Sequence, residues 1–253
     1  MTLALDGKIA LVTGGAGGLG RAICEALAAS GASVIIGYNN SVDAAQTLAG
    51  RLPRPDPNIH HAAMQAAVSD SSSLARLAAD IEQRYGRCDI VVNCAGTTRF
   101  VPHDDLDGLS DALFDDILAT NVRGPFAVVR AMRPLLQRAG EALVVNISSI
   151  AAVTAMGSNI AYCASKAAVD NMTKSLARAL APRIRVLSVS PGLSDTDFVK
   201  QMEKSWRDEQ ADRTPLKRLA RPEEVAAAVV AAATHLTFTT GVVIPVDGGR
   251  PLQ

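Results

Sequence analysis

Lys8 to Gly31 reads KIALVTGGAGGLGRAICEALAASG. Lys8 to Thr13 is a short apolar run with β-branched residues, as expected of a buried strand. TGGAGGLG, Thr13 to Gly20, interrupts it, and RAICEALAASG then reads as an amphipathic helix closed by Gly31. Strand, glycine loop and helix in that order are the layout of a dinucleotide site. The glycines let main chain approach a pyrophosphate, and the helix start offers free N–H groups and a positive dipole end. Gly14, Gly18 and Gly20 are spaced TGxxxGxG rather than GxGxxG. A lone glycine pattern says little; one placed between a strand and a helix says much more.

Working outward, Ala32 to Gly37 is a second strand leading to Tyr38, Asn39, Asn40 and Ser41. A carboxylate at this strand end would take adenosine ribose hydroxyls, and a cation would suit a 2′-phosphate. Neither is present at Tyr38 or Asn39, and Asn39 to Ser41 offer hydrogen-bond donors. NADP(H) is therefore favoured over NAD(H).

Further strands are expected at Ile59 to Val68, Cys88 to Asn93, Leu143 to Ile147, Ile184 to Val189 and Val242 to Val246. Helices are expected between them, including Asp43 to Leu52, Ser72 to Tyr85, Ala119 to Leu136 with a kink near Gly124-Pro125, and one starting at Pro222. His103 to Asp116 carries many acids, as a solvated helix face does. His60 and His61 have no accompanying ligand pattern, so they read as surface or core-edge residues and no metal site is expected. Leu193 to Ala220 is more polar and reads as an excursion from the sheet, a substrate lid. With no linker and no repeat, residues 1–253 form a single α/β domain. Its doubly wound, Rossmann-like, mainly parallel seven-stranded sheet has helices on both faces. Ligands bind such sheets at strand carboxyl ends. The glycine loop, Asn93-Cys94-Ala95-Gly96, Ser149 and Pro191-Gly192 all follow strands and so share that edge.

The helix leaving the same edge contains Tyr162-Cys163-Ala164-Ser165-Lys166, within Ser158 to Leu180. Residues four apart share a helix face, which places a phenol beside an ammonium. A free phenol holds its proton about three units too high for exchange near neutrality, a gap of about 4 kcal/mol. One fixed cation at ~4 Å supplies about that much at an effective dielectric of ~20. The pair can act as a proton donor and acceptor.

Composition narrows the function classes. Of 253 residues, 25 are Lys or Arg and 25 are Asp or Glu, so no net charge attracts nucleic acid or an anionic membrane. No basic region precedes a long apolar run, so no leader is expected, and the longest apolar stretch, Val225 to Ala233, is too short to cross a bilayer. Cys24, Cys88, Cys94 and Cys163 show no CxxC pairing and read as reduced thiols of a cytoplasmic protein.

Taken together, TGGAGGLG, NCAG at Asn93 to Gly96, Asn121 in NVRGPF, NISS at Asn146 to Ser149, YCASK, PGLSDT at Pro191 to Thr196 and VDGG at Val246 to Gly249 resemble the short-chain dehydrogenase/reductase family. The resemblance runs nearly end to end, and Ser149 precedes Tyr162 by thirteen residues, the family's interval. It implies hydride transfer between a nicotinamide and a small-molecule ketone or alcohol, with Asn121, Ser149, Tyr162 and Lys166 as the catalytic set. Tyr162 would exchange the proton of the substrate oxygen and Ser149 would hydrogen-bond that oxygen. Lys166 would bind the nicotinamide ribose, and Asn121 would hold a relay water. Gly14, Gly17, Gly18, Leu19, Gly20, Tyr38, Asn39, Asn40, Ser41, Val68, Asn93, Ala95, Gly96, Tyr162, Lys166, Pro191, Gly192 and Thr196 would contact the cofactor. Two positions depart from relatives: Ala67 stands where an Asp usually binds adenine, leaving the main chain of Val68, and Gly17 stands where NADP-preferring relatives often carry Arg or Lys.

Within the family the chain looks most like 3-oxoacyl-[acyl-carrier-protein] reductases. Alcohol, sugar or polyol, steroid and quinone dehydrogenases share the framework. Arg99, after Thr97-Thr98, faces either an acidic carrier or substrate, or a structural or interface partner. The Thr97 to His103 loop, Thr154, Met156 and Asn159 are further pocket candidates. The resemblance also implies a homotetramer, with the Asn121 helix, the Tyr162 helix and the C-terminal strand at interfaces. A non-catalytic nucleotide-binding regulator is the contrary reading, and the retained Tyr162 and Lys166 speak against it.

Overall fold

A computed structural model describes residues 4–252. Met1 to Leu3, part of the stretch read for a leader, and Gln253, the end of the expected domain, lie outside the described residues. Seven strands, β1 (Ile9–Thr13), β2 (Ser33–Tyr38), β3 (Ala62–Gln65), β4 (Ile90–Asn93), β5 (Ala142–Ile147), β6 (Ile184–Pro191) and β7 (Val243–Val246), form one sheet. Their order is β3-β2-β1-β4-β5-β6-β7, and every pairing is parallel. The chain winds outward from β1 to β3, returns to place β4 beside β1, then winds the other way. The reversal opens a crevice beyond the carboxyl ends of β1 and β4.

The strands read as continuous apolar runs because both faces are covered. Ala10, Val12, Val34, Ile36, Val92 and Val145 pack into one core layer, against α1 (Gly18–Ala29), α2 (Val42–Arg51) and α10 (Pro222–Thr234). Leu11, Ile35, Val91, Val144 and Val186 alternate into the other, under α3 (Ser71–Tyr85), α5 (Gly124–Arg138) and α7 (Ile160–Leu180). Each fully buried Leu or Ile contributes about 1.5–3 kcal/mol. The remaining helices, α4 (Asp111–Leu118), α6 (Ala151–Thr154), α8 (Asp197–Lys200) and α9 (Lys204–Asp212), lie in the connections. Among the described residues, no helix is long and apolar enough to cross a membrane.

Three expectations change. β3 is only four residues long, because side chains replace the ladder at its start. Val34 N donates to His61 Nδ1 at 3.1 Å and His60 N to Ser33 Oγ at 3.0 Å. His61 Nε2 donates to Pro53 O, and burial holds the ring below its usual pKa, in the neutral form this pattern needs. The helix expected over Ala119 to Leu136 starts as a π turn, Ala119–Arg123, and becomes α5 only at Gly124. Pro125 has no N–H, so the carbonyl of Asn121 loses its α-helical donor, and the wider turn absorbs the mismatch. The acidic stretch from His103 is helical only from Asp111, where Ser110 Oγ accepts from Leu113 N at 3.4 Å.

The excursion after β6 has a closed neck. Asp195 N donates to Ala220 O at 2.8 Å and Ala220 N to Leu193 O at 3.0 Å. At its return, Glu224 accepts from Arg221 N at 2.9 Å and pairs with Arg218 at 2.6 Å, which fastens the start of α10.

Candidate active site

The glycine loop is shaped by steric demand. Gly14 has φ +64°, and a Cβ there would stand 2.8 Å from Ala95 Cα, so the loop after β1 can touch the loop after β4 only as glycine. A Cβ on Gly20 would collide with Gly14 O. Thr13 Oγ1 ties the two loops together, accepting from Cys94 N and Ala95 N at 3.2 Å each. Gly17, the N-cap of α1, offers no side chain, and no acid occupies the first turn. The first amides of α1 therefore keep their positive field and their donors for a ligand, a fit for a pyrophosphate.

These amides open on a cleft of ≈ 690 Å³. Gly14, Gly17, Gly18, Leu19, Gly20, Tyr38, Asn39, Asn40, Ser41, Val68, Ala95, Gly96, Tyr162 and Lys166 line it together. Among the described residues, the charged ones lining it are Asp116 and Lys166, so the Tyr38 to Ser41 end presents neither carboxylate nor cation. Ala67 is engaged in its own turn: its N donates to Ser73 Oγ at 3.3 Å and its O accepts from Asp70 N at 2.9 Å. A smaller groove of ≈ 410 Å³ between α3 and α5 carries none of the proposed chemistry.

Other expected residues stand off the cleft lining. Asn93 is buried, and its amide donates to Asn146 Oδ1 at 2.8 Å, which turns it into the sheet. Pro191 and Gly192 close β6, and Gly192 N donates to Val246 O at 2.9 Å. Thr196 packs on Gly18, where a Cβ would meet its side chain at 3.0 Å. Ser148 and Ser149 diverge: Ser148 is buried and lines the cleft floor, with its hydroxyl 3.5 Å from Lys166 O. Ser149 is half-buried and accepts from Ala151 N at 3.2 Å. Its own hydroxyl proton has no acceptor among the described residues.

Tyr162 and Lys166 do share one helix face. Lys166 Nζ lies 5.6 Å from the Tyr162 ring centroid and donates to Ile147 O at 2.9 Å. This buried ammonium is held at the end of β5, beside the Tyr162 ring. Asn121 is buried and fully engaged: its Oδ1 accepts from Thr97 N at 2.8 Å, and its Nδ2 donates to Thr97 O at 3.0 Å and Ser165 Oγ at 3.2 Å. The Asn121 side chain is therefore committed to Thr97 and Ser165.

The thiols offer no rival chemistry. Burial pushes Cys94 up to about 11 and Cys88 to about 12, and raises Cys24 and Cys163 as well, so all stay protonated near neutrality. Thr13 and Ser165 escaped the sequence reading. Their only signals were a hydroxyl ending β1 and one three residues beyond Tyr162.

A glycine-built phosphate cradle and a Tyr–Lys pair on one cleft define a nicotinamide-dependent oxidoreductase. Residues 14–250 match a family model described as enoyl-(acyl carrier protein) reductase. The chain is 33% identical to the 3-oxoacyl-[acyl-carrier-protein] reductase FabG of Thermotoga maritima, with 97% of this chain and 98% of that protein covered. It is 36% identical to D-threitol dehydrogenase of Mycolicibacterium smegmatis, over 98% and 95%. A solved short-chain dehydrogenase/reductase from Brucella melitensis, titled glucose/ribitol dehydrogenase, superposes with a TM-score of 0.89 at 31% identity, covering 99% of each chain. The protein belongs to the short-chain dehydrogenase/reductase family and is an NAD(P)-dependent enzyme interconverting ketones and alcohols.

Proposed function

We propose that the protein reduces 3-oxoacyl thioesters with NADP(H), working as a cytoplasmic homotetramer whose 1–253 chain is one catalytic domain. The nicotinamide, when bound, supplies the hydride. Tyr162 gives its phenolic proton to the substrate oxygen, and Ser149, with its unclaimed hydroxyl, donates to that oxygen as charge develops. Lys166 binds the nicotinamide ribose and favours the phenolate left behind. Protons return along Asn121 and Lys166. The α1 amides at Gly18 to Gly20, with Gly14 and Gly17 in the loop before them, hold the pyrophosphate, Asn39, Asn40 and Ser41 hold the 2′-phosphate, and the main chain of Val68 receives the adenine. Asn93, Ala95, Gly96, Pro191, Gly192 and Thr196 border the two ends of the cofactor. The segment 193–220 closes over the substrate, a role its tied neck suits.

One observation carries this reading: the Lys166 ammonium stands over the Tyr162 ring in the same cleft that the uncapped glycine loop lines. The thioester assignment draws on the FabG relative. Polyol oxidation is the second reading, favoured by the D-threitol dehydrogenase relative at 36% identity. Titration with NADPH and NADH, followed by turnover of acetoacetyl thioesters and of polyols, tests both. Tighter NADPH binding with thioester reduction supports the first. NADH preference with inert thioesters replaces it with the second. Light scattering that showed only monomer would remove the tetramer.

A further inference from the structure

We propose that Asn159 is a positioning residue, holding Tyr162 in register with the Thr97–Arg99 loop; this rests on the reading of Tyr162 as proton donor. Asn159 is 1% exposed, and its side chain makes three hydrogen bonds in two directions. As the N-cap of α7, its Oδ1 accepts from Tyr162 N at 2.7 Å. Its Nδ2 donates to Arg99 O at 2.7 Å and Thr98 Oγ1 at 3.2 Å, about sixty residues back along the chain. An ordinary N-cap needs only the first of these bonds. The other two anchor the catalytic helix to the loop that follows β4.

The other side of Tyr162 is held the same way. Ser165 Oγ donates to Tyr162 O at 2.7 Å and accepts from Asn121 Nδ2, while Asn121 clasps both main-chain groups of Thr97. The N–H and the C=O of Tyr162 are thus each gripped by a side chain that leads to the same loop. Val101 N donates to Ser158 O at 2.8 Å, and His103 Nε2 to Gly157 O at 3.2 Å, extending the seam. Tyr162 and the loop bordering the substrate end move as one body. A substrate seated against Thr97–Arg99 is therefore presented to the phenol at a set distance, and a shift of about 1 Å in such a distance can cost 10²-fold in rate.

Two variants of the full chain separate this role from simple capping. Asn159→Ala loses all three side-chain bonds. Asn159→Ser keeps a capping oxygen and lacks an amide that reaches Arg99 and Thr98. Asn159→Ala is expected to lower kcat roughly 10- to 100-fold, with KM changed less and the NADPH dissociation constant within about 2-fold of the parent. Asn159→Ser is expected to recover the parental melting temperature while kcat stays low. Hydrogen exchange should quicken at Thr97 to Val101 in both variants, and at Tyr162 in the alanine variant alone. Parental kcat in Asn159→Ala, full recovery of kcat in Asn159→Ser, or unchanged exchange at Thr97 to Val101 would each overturn the inference. A parent chain inert toward every ketone and alcohol would sink the reading of Tyr162 instead, and the exchange data would then decide the tether alone.

Discussion

The two ends of the cleft are built from different materials. The end after β1 is main chain: glycines, helix amides and one threonine hydroxyl that joins two loops. Its left-handed turn is taken by Gly14 at φ +64°, where no side chain resists. The end after β4 and β5 is bound by side chains, with Asn121, Asn159, Ser165 and His103 lacing loops together. There, large apolar groups face solvent, among them Phe100, Val153 and Met156. A left-handed turn on this side falls to Ala155 (φ 54°), before α7. A ligand common to many proteins can be met by main chain, which every sequence carries. A particular substrate needs particular side chains, and the strain those loops carry is offset by the tethers beneath them.

Tyr162→Phe tests the seam between the halves and carries the largest expected effect. It should cut kcat by ~10³-fold and leave cofactor affinity unchanged, measured by steady-state turnover beside fluorescence titration. Full activity would dissolve the assignment of the chemistry to this residue. Gly14→Ala strikes the main-chain half. A left-handed alanine whose Cβ presses on Ala95 should cost about 2 kcal/mol or more in urea unfolding and weaken cofactor binding in parallel. An unchanged denaturation midpoint would mean that the close approach is easily relaxed.

Ala155→Gly is the mirror experiment on the other half. Relief of a left-handed non-glycine residue, less the entropy glycine regains on unfolding, should stabilise the fold by about 0.5–1 kcal/mol. A loss of stability would show that the Ala155 side chain contributes packing worth more than its strain.

The smallest effect is expected at the neck of the excursion. Hydrogen bonds from Arg218 and Arg221 hold Glu224 down to about 2, against the usual carboxylate value near 4.5. Because the folded pKa is depressed, the stabilisation is complete above about pH 5 and is lost as pH falls toward 2. Glu224→Gln should therefore melt slightly below the parent at neutral pH, and the two should converge as acid is added. A gap that persisted at pH ~2 would rule out the carboxylate as its source.

How far these regions could be read in advance differs in the same way. β1, the glycine loop and α1 follow one another in sequence, and their chemistry is local, so Lys8 to Gly31 sufficed to recognise them. The shared face of Tyr162 and Lys166 was legible because α-helical spacing decides it. The π turn at Asn121 was read only as a kink near Gly124-Pro125, since periodicity does not show which carbonyls a proline leaves without partners. The bond from the Asn93 amide to Asn146, a partner fifty-three residues away, likewise has no local signal.

By itself, then, the amino-acid order determined a parallel sheet covered on both faces, a phosphate cradle between β1 and α1, and a phenol and an ammonium one turn apart. Each of these follows from residues within a few positions of one another. Tertiary structure decided which serine after β5 lines the floor and which keeps a hydroxyl proton without an acceptor among the described residues. It also decided that Asn121 and Asn159 grip one loop from two sides, and that strain gathers where the main chain is not glycine. Hydrogen bonds between residues such as Asn159 and Arg99 depend on where strands β4 and β5 bring distant loops, and no local pattern encodes that meeting.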